Sequence, residues 1–143
     1  MTHVFVYGTL MRGGANHAVL ARLGARYVAS ARTARGRTLV DLGPYPALLP
    51  QDDARDALAP NVHGEIYELD DAELASLDAF EGCPTLYTRA RIALTTDAGA
   101  AEAWVYVFAR ALPRSAQPVT TGRYVKVGAA LAEGADASQL DDD

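Results

Sequence analysis

Cysteine is nearly absent from this 143-residue chain. The single one, Cys83, excludes an internal disulfide and any cysteine-rich metal site. A thiol becomes a nucleophile when a base activates it. The sequence places no histidine near Cys83, so it reads as a buried spectator thiol. Histidine is scarce as well. His3, His17 and His63 each stand alone in their segments, without metal-ligand spacing. All three read as structural or solvent-facing, and neither a metal nor a cofactor is expected. Positive charge is short: 13 Lys and Arg against 18 Asp and Glu give a net charge of -5. The arginines are scattered, which argues against nucleic acid as a partner, because phosphate-backbone affinity needs clustered cations. Long apolar runs are missing too. No stretch reads as a membrane span or a signal peptide, so the expectation is a cytoplasmic protein without a membrane partner, a monomer by default.

What is present is ordinary for a soluble globular domain. Half of the residues are hydrophobic and 22% are charged. The length suits one domain with its own core, drawn as residues 1–132. Residues 133–143 are polar, end in Asp141-Asp142-Asp143, and are expected to fray.

The most informative stretch runs from Leu77 to Arg89. It reads as the end of a helix, a sharp stop and the start of a strand. The helix is expected from Asp70, which suits an N-cap, with Glu73 placed as in a capping box. Leu74, Leu77 and Glu81 share one helical face. Gly82 suits the left-handed position that closes a helix, and Pro84 prevents its resumption. A carboxylate therefore ends the stripe that faces the core. Loss of hydration there disfavours the charged form and raises its pKa, so Glu81 is positioned to exchange protons near neutral pH. The spacing also allows a plain rim carboxylate, or a structural partner of Arg89 or Arg91.

The rest of the chain reads as short strands. Thr2 to Tyr7 carries the continuous run Val4-Phe5-Val6, as in a buried strand. Gly8 to Ala15 is a glycine-containing loop, and Asn16 suits the cap of a short helix with Val19, Leu20 and Leu23 inward. A strand, such a loop and a helix start can present N–H groups to an anion. The stretch is neither a P-loop nor a dinucleotide fingerprint, and from the residues alone a plain chain reversal is favoured. One or two strands are expected over Tyr27 to Val40, with Arg35-Gly36-Arg37 as a bulge or exposed edge. Gly43-Pro44-Tyr45-Pro46 is a rigid turn, and Ala47-Leu48-Leu49 a short strand. Gln51 to Asn61 reads as a polar surface loop. Val62 to Leu69, Tyr87 to Leu94 and Ala103 to Phe108 read as strands, with a hairpin turn at Asp97-Ala98-Gly99. Pro113 to Pro118 is loop, and Tyr124 to Val127 a last short strand. Many short strands around one main helix indicate an α+β domain with a curled or barrel-like mixed sheet.

Together the motifs resemble the γ-glutamylcyclotransferase (AIG2-like) family. Val4-Phe5-Val6-Tyr7-Gly8-Thr9-Leu10 matches the family's substrate loop. Arg12-Gly13, Asn16-His17, Gly36-Arg37-Thr38-Leu39 and Pro44-Tyr45-Pro46 are similar to its γ-glutamylamine cyclotransferase branch. Val62-x-Gly64-Glu65-Ile66-Tyr67 matches the central strand. Leu77-Asp78-x-Phe80-Glu81-Gly82-Cys83-Pro84-x-Leu86-Tyr87-x-Arg89 matches the segment with the catalytic glutamate, at Glu81. The resemblance runs from Thr2 to about Phe108, and past Leu112 no specific motif is visible.

The resemblance implies a small mixed β-barrel with flanking helices and a small-molecule γ-glutamyl substrate. The α-amine of that substrate attacks its own side-chain amide carbonyl, releasing 5-oxoproline and a free amine. Glu81 would be general base and acid, with the Gly8, Thr9 and Leu10 amides binding the α-carboxylate and Tyr7 in the wall. Tyr87 and Arg89 either line the pocket or hold the Glu81 turn, Arg89 through Glu65 or Asp78. Asp78 is the rival acid, with a structural hydrogen bond as its alternative role. A non-catalytic domain that binds a small acid or a protein is the competing function, since fold alone does not fix activity.

Overall fold

Val4, Phe5 and Val6 are all buried, although successive strand residues point to opposite faces. The first strand must therefore be covered on both sides, and its continuous apolar run reflects that. The computed structural model describes residues 1–50 and 59–124. The strands are β1 (Thr2–Val6), β2 (Arg26–Arg32), β3 (Leu39–Asp41), β4 (Pro46–Leu48), β5 (His63–Leu69), β6 (Tyr87–Thr96), β7 (Gly99–Phe108) and β8 (Gln117–Pro118). The helices are α1 (His17–Arg22) and α2 (Asp71–Phe80).

The sheet order is β1-β5-β2-β6-β7-β4-β3-β8, and β1 also pairs with β7. Five strands thus close into a barrel, from which β4, β3 and β8 extend. The sheet is mixed: β7 runs parallel to both β1 and β4, and the other pairs are antiparallel. Closure removes the sheet edge that an open meander would expose. Inside lies a cluster that includes Phe5, Ile66, Ile92, Val105 and Val107. A second cluster joins the opposite faces of the strands, including Val4, Val6 and Leu69, to Leu20 of α1 and Leu77 of α2. The apolar stripe of α2 is as expected, with Leu74 and Leu77 buried.

Several local expectations change. Asp70 precedes α2, but its side chain makes no capping bond. Its backbone carbonyl instead accepts the N–H groups of Glu73 and Leu74. Asn16 also makes no side-chain cap; its amide nitrogen donates to Thr9 Oγ1 at 2.9 Å. Of the one or two strands expected over Tyr27 to Val40 there are two, β2 and β3, with a turn rather than a bulge between them. The chain turns at Arg35-Gly36, and only Leu39 and Val40 re-enter the sheet. The buried Thr33 hydroxyl helps end β2 there by donating to Ala34 O and accepting Val62 N–H. Gln117 and Pro118, read as loop, pair with β3. Most of the Gln51–Asn61 loop, the Tyr124–Val127 strand beyond its first residue, and the acidic tail lie outside the described residues.

One edge of β7 is shared. Val4 and Phe5 of β1 face Trp104 and Val105, and Leu48 of β4 faces Val107. β1 leaves β7 where β4 arrives, and Tyr7 fills the junction. Its hydroxyl donates to Tyr106 O at 2.8 Å and accepts Leu48 N–H at 3.0 Å. Removing it leaves a buried N–H and a buried C=O without that partner, at a cost of about 1–3 kcal/mol. Tyr7→Phe should therefore lower the urea midpoint by a corresponding amount with an unchanged m-value. A midpoint equal to wild type would mean that the bridge carries no stability.

Candidate active site

Glu81 is the residue that closes α2. Its N–H donates to Leu77 O at 2.9 Å, so the helical path continues to it and the Leu74-Leu77 face carries its side chain inward. Gly82 then takes φ 73°, a backbone conformation open to glycine and costly for residues with a Cβ. Cys83 N–H returns to Asp78 O at 3.0 Å and Leu86 N–H to Gly82 O at 2.8 Å. This compact turn reverses the chain into β6 and fixes where Glu81 points.

It points into a cavity of about 220 Å³, a volume suited to a small acyl group rather than a drug-sized ligand. Tyr7, Gly8, Thr9, Leu10, Glu81 and Tyr87 all line it. The cavity opens where β1 and β4 part, beneath the end of α2. The loop from Gly8 comes close enough to β4 that a Cβ at Gly8 would lie 2.5 Å from Pro46 Cγ. Glycine is the residue that permits this approach.

Among the described residues Glu81 is the one carboxyl group in the lining, and it has no ion-pair partner. Burial raises its pKa from the ordinary carboxylate range to about 7, with the negative charge of Asp78 adding to the effect. Three of the tyrosine hydroxyls around it, those of Tyr7, Tyr87 and Tyr106, are committed elsewhere. Tyr7 bridges Tyr106 O and Leu48 N–H, Tyr87 donates to Pro46 O at 2.8 Å, and Tyr106 donates to Asp78 Oδ1 at 2.7 Å. Burial is the main cause that pushes all three phenols above their ordinary value, so they remain neutral donors.

The loop opposite Glu81 has the complementary chemistry. The carbonyls of Gly8, Thr9 and Met11 accept the N–H groups of Met11, Asn16 and Gly14. Leu10 O is held by His17 Nδ1 at 2.9 Å. Among the described residues, the N–H groups of Gly8, Thr9 and Leu10 have no intramolecular acceptor. Adjacent unpaired N–H groups in a concave loop form an anion-binding nest. A carboxyl with a pKa near neutrality and three N–H groups without an intramolecular acceptor thus border one small chamber.

Arg89 is not part of that lining. Its Nε donates to Asp78 Oδ1 at 2.7 Å and its guanidinium lies 4.5 Å from the Trp104 ring centre. Of its two expected partners Asp78 is the one found, and Glu65 bonds Arg12 instead. Asp78 is itself outside the lining, between Arg89 and Tyr106. Residues not singled out for the site also enter it: Asn16, Tyr45, Pro46, Phe80, Leu86 and Tyr106. Pro46 and Tyr45 stood in a motif already noted. Tyr106 gave no signal, because an aromatic in an apolar strand reads as core.

The family model described as "Gamma-glutamyl cyclotransferase, AIG2-like" matches residues 4–126, well past Phe108, where the visible motifs end. A gamma-glutamylaminecyclotransferase of Homo sapiens is 47% identical over 95 residues, covering 62% of this chain and 59% of the human protein. A putative gamma-glutamylcyclotransferase of Vibrio cholerae is 35% identical over 105 residues, covering 73% of this chain and 80% of that protein. The chain thus spans about six-tenths of its human relative. Among solved structures, an AIG2-like protein of Mus musculus superposes with a TM-score of 0.68 at 33% identity, covering 79% of this chain and 84% of the mouse chain. The match over nearly the whole described chain, with a barrel of the kind the motifs imply, places the protein in the gamma-glutamyl cyclotransferase, AIG2-like family, in its γ-glutamylamine cyclotransferase branch.

Proposed function

We propose that the protein cyclises γ-glutamyl amines, releasing 5-oxoproline and the free amine. The observation that carries this reading is the uncommitted Glu81 carboxyl facing the Gly8–Leu10 amides across one small cavity. The names of the relatives support it.

In this reading the substrate's α-carboxylate sits against the N–H groups of Gly8, Thr9 and Leu10. The five-atom span from amine to γ-carbonyl then folds back on itself. Holding that conformer supplies much of the catalysis, because nucleophile and electrophile belong to one molecule. The α-ammonium gives a proton to the Glu81 carboxylate, and the nitrogen lone pair forms a bond to the γ-carbonyl carbon. Glu81 passes that proton to the departing nitrogen as the original C–N bond breaks, and the second proton shed by the ring nitrogen follows, so the lactam keeps one N–H and the amine leaves as its ammonium. No net proton is consumed, so one carboxyl with a pKa near neutrality serves both halves. The cavity's apolar walls keep water from competing with the tethered amine.

Glu81→Gln keeps the shape but cannot cycle a proton. Turnover, read as 5-oxoproline release, should fall by about 10²–10⁴-fold while the substrate still binds. Asp78→Asn is the comparison, and it should cost stability more than chemistry. A folded Glu81→Gln with near-normal turnover beside an inactive Asp78→Asn would move the acid to Asp78. Consumption of no γ-glutamyl compound even by the wild type, with binding intact in both variants, would favour the non-catalytic binding domain.

The pH dependence follows from the direction of the shift. Glu81 must be deprotonated to accept a proton, so kcat/KM should rise with pH through a midpoint near 7. A limb near the unperturbed 4.5 would contradict the buried carboxyl. The same shift affects stability in the opposite sense. The folded state holds a proton that the unfolded chain releases near 4.5, so this contribution is full below 4.5 and is lost as pH rises through about 7. Glu81→Gln should therefore melt close to wild type in acid and above it at alkaline pH.

Substrate requirements give a further check. An N-acetylated γ-glutamyl amide lacks the nucleophile and should be inert, and an α-linked glutamyl peptide should not be cleaved. Turnover of either, followed by mass spectrometry, would indicate simple amide hydrolysis instead.

A further inference from the structure

The Gly8–Leu10 loop is fastened to the barrel by one carboxylate that does not line the cavity. Glu65 Oε1 accepts the backbone N–H of Arg12 at 2.9 Å and the Tyr67 hydroxyl at 2.8 Å. Its Oε2 lies 3.3 Å from Arg12 Nε. Glu65 sits on β5 directly opposite Val6, the last residue of β1 before the loop departs. Its side chain is 13% exposed, against 57% for that of Arg12. Arg12 also lays its guanidinium 4.0 Å from the centre of the Tyr27 ring.

An ion pair with so exposed a guanidinium contributes little by itself. The backbone contact is different in kind. It holds the chain two residues after Leu10, outside the cavity lining, where the Met11 N–H to Gly8 O bond has already turned the loop. With His17 on Leu10 O and Asn16 on Thr9 Oγ1, it fixes the orientation of the three unpaired N–H groups. Convergent donors lose their advantage when the peptide planes that carry them rotate.

We propose that Glu65 is a positioning residue for substrate binding, which sets the Gly8, Thr9 and Leu10 amides for the substrate's α-carboxylate through the Arg12 backbone N–H. This rests on the reading of that loop as the carboxylate anchor. It assigns Glu65 a role in KM and none in proton transfer.

The test compares two substrates of one leaving amine. One is the γ-glutamyl amide; the other is the 4-aminobutyryl amide, which keeps the nucleophile and lacks the α-carboxylate. Wild type, Glu65→Ala, Glu65→Asp and Glu65→Gln are assayed for kcat, KM and pH midpoint, with competition constants where turnover is slow. Glu65→Ala should raise KM for the γ-glutamyl amide by about tenfold or more, the effect of one lost hydrogen bond to a charged group. Its kcat and pH midpoint should stay near wild type. Glu65→Asp, whose shorter arm withdraws the oxygen, should show the same KM effect if Glu65→Ala does not fold. Glu65→Gln retains an acceptor oxygen and should restore most of the affinity. None of the variants should change the affinity for the 4-aminobutyryl amide. Equal losses on both substrates, or unchanged KM despite a lower melting temperature, would make Glu65 purely structural and overturn the proposal. If wild type binds the two substrates equally, the carboxylate-anchor reading falls and the proposal with it. Discrimination by wild type that survives in Glu65→Ala and Glu65→Asp sinks the proposal alone.

Discussion

The architecture depends on how β7 divides one edge between two parallel partners. A strand offers one row of ladder bonds per edge, and β1 and β4 cannot both use it at the same height. β1 takes the positions at Trp104 and Val105, and β4 the one at Val107. The chains must diverge between them, which would strand backbone groups in the interior. The Tyr7 hydroxyl resolves this by donating to β7 and accepting from β4 in one position. The same divergence leaves space beside the strands. Gly8, pressed against Pro46, lets the chain turn away from the barrel and over that space. Barrel closure and the cavity are therefore consequences of a single junction.

What was legible in the sequence is what local chemistry encodes. The Val4-Phe5-Val6 run reported a strand covered on both faces. Leu74, Leu77 and Glu81 reported one helical face, and Gly82 reported where that helix ends. Those features alone place a carboxyl at the rim of a core. The loop identity of Gly8–Leu10 came from motif resemblance, because three glycines in a short loop also describe an ordinary reversal. Less legible were contacts between distant segments. Nothing local in Tyr106 says that its carbonyl meets Tyr7 and its hydroxyl meets Asp78. The parallel pairing of β1 with β7 joins residues a hundred positions apart and leaves no trace in either strand's pattern. Asp70 and Asn16 stand at the expected N-cap positions, but the expected side-chain bonds are missing for a related reason. Asp70 and Asn16 have the right chemistry for caps, but Asn16 is claimed by Thr9 from the loop, a competition visible only in three dimensions.

The separation of Glu81 from Asp78 shows how the fold gives two acids on one helix different chemistry. They lie three residues apart, and the spacing alone leaves both as candidates. Asp78 is claimed by Arg89 and Tyr106, which occupy its acceptor capacity. Glu81 meets a buried, largely apolar lining with no cation of its own. An arginine moved from Asp78 to Glu81 would lower the pKa of Glu81 and occupy its carboxyl oxygens. The charge that remains on Asp78 then adds to the effect of burial on its neighbour. Arg89 thus serves the site by its absence from it. Holding the positive charge one helical turn away keeps Glu81 free to titrate near neutrality.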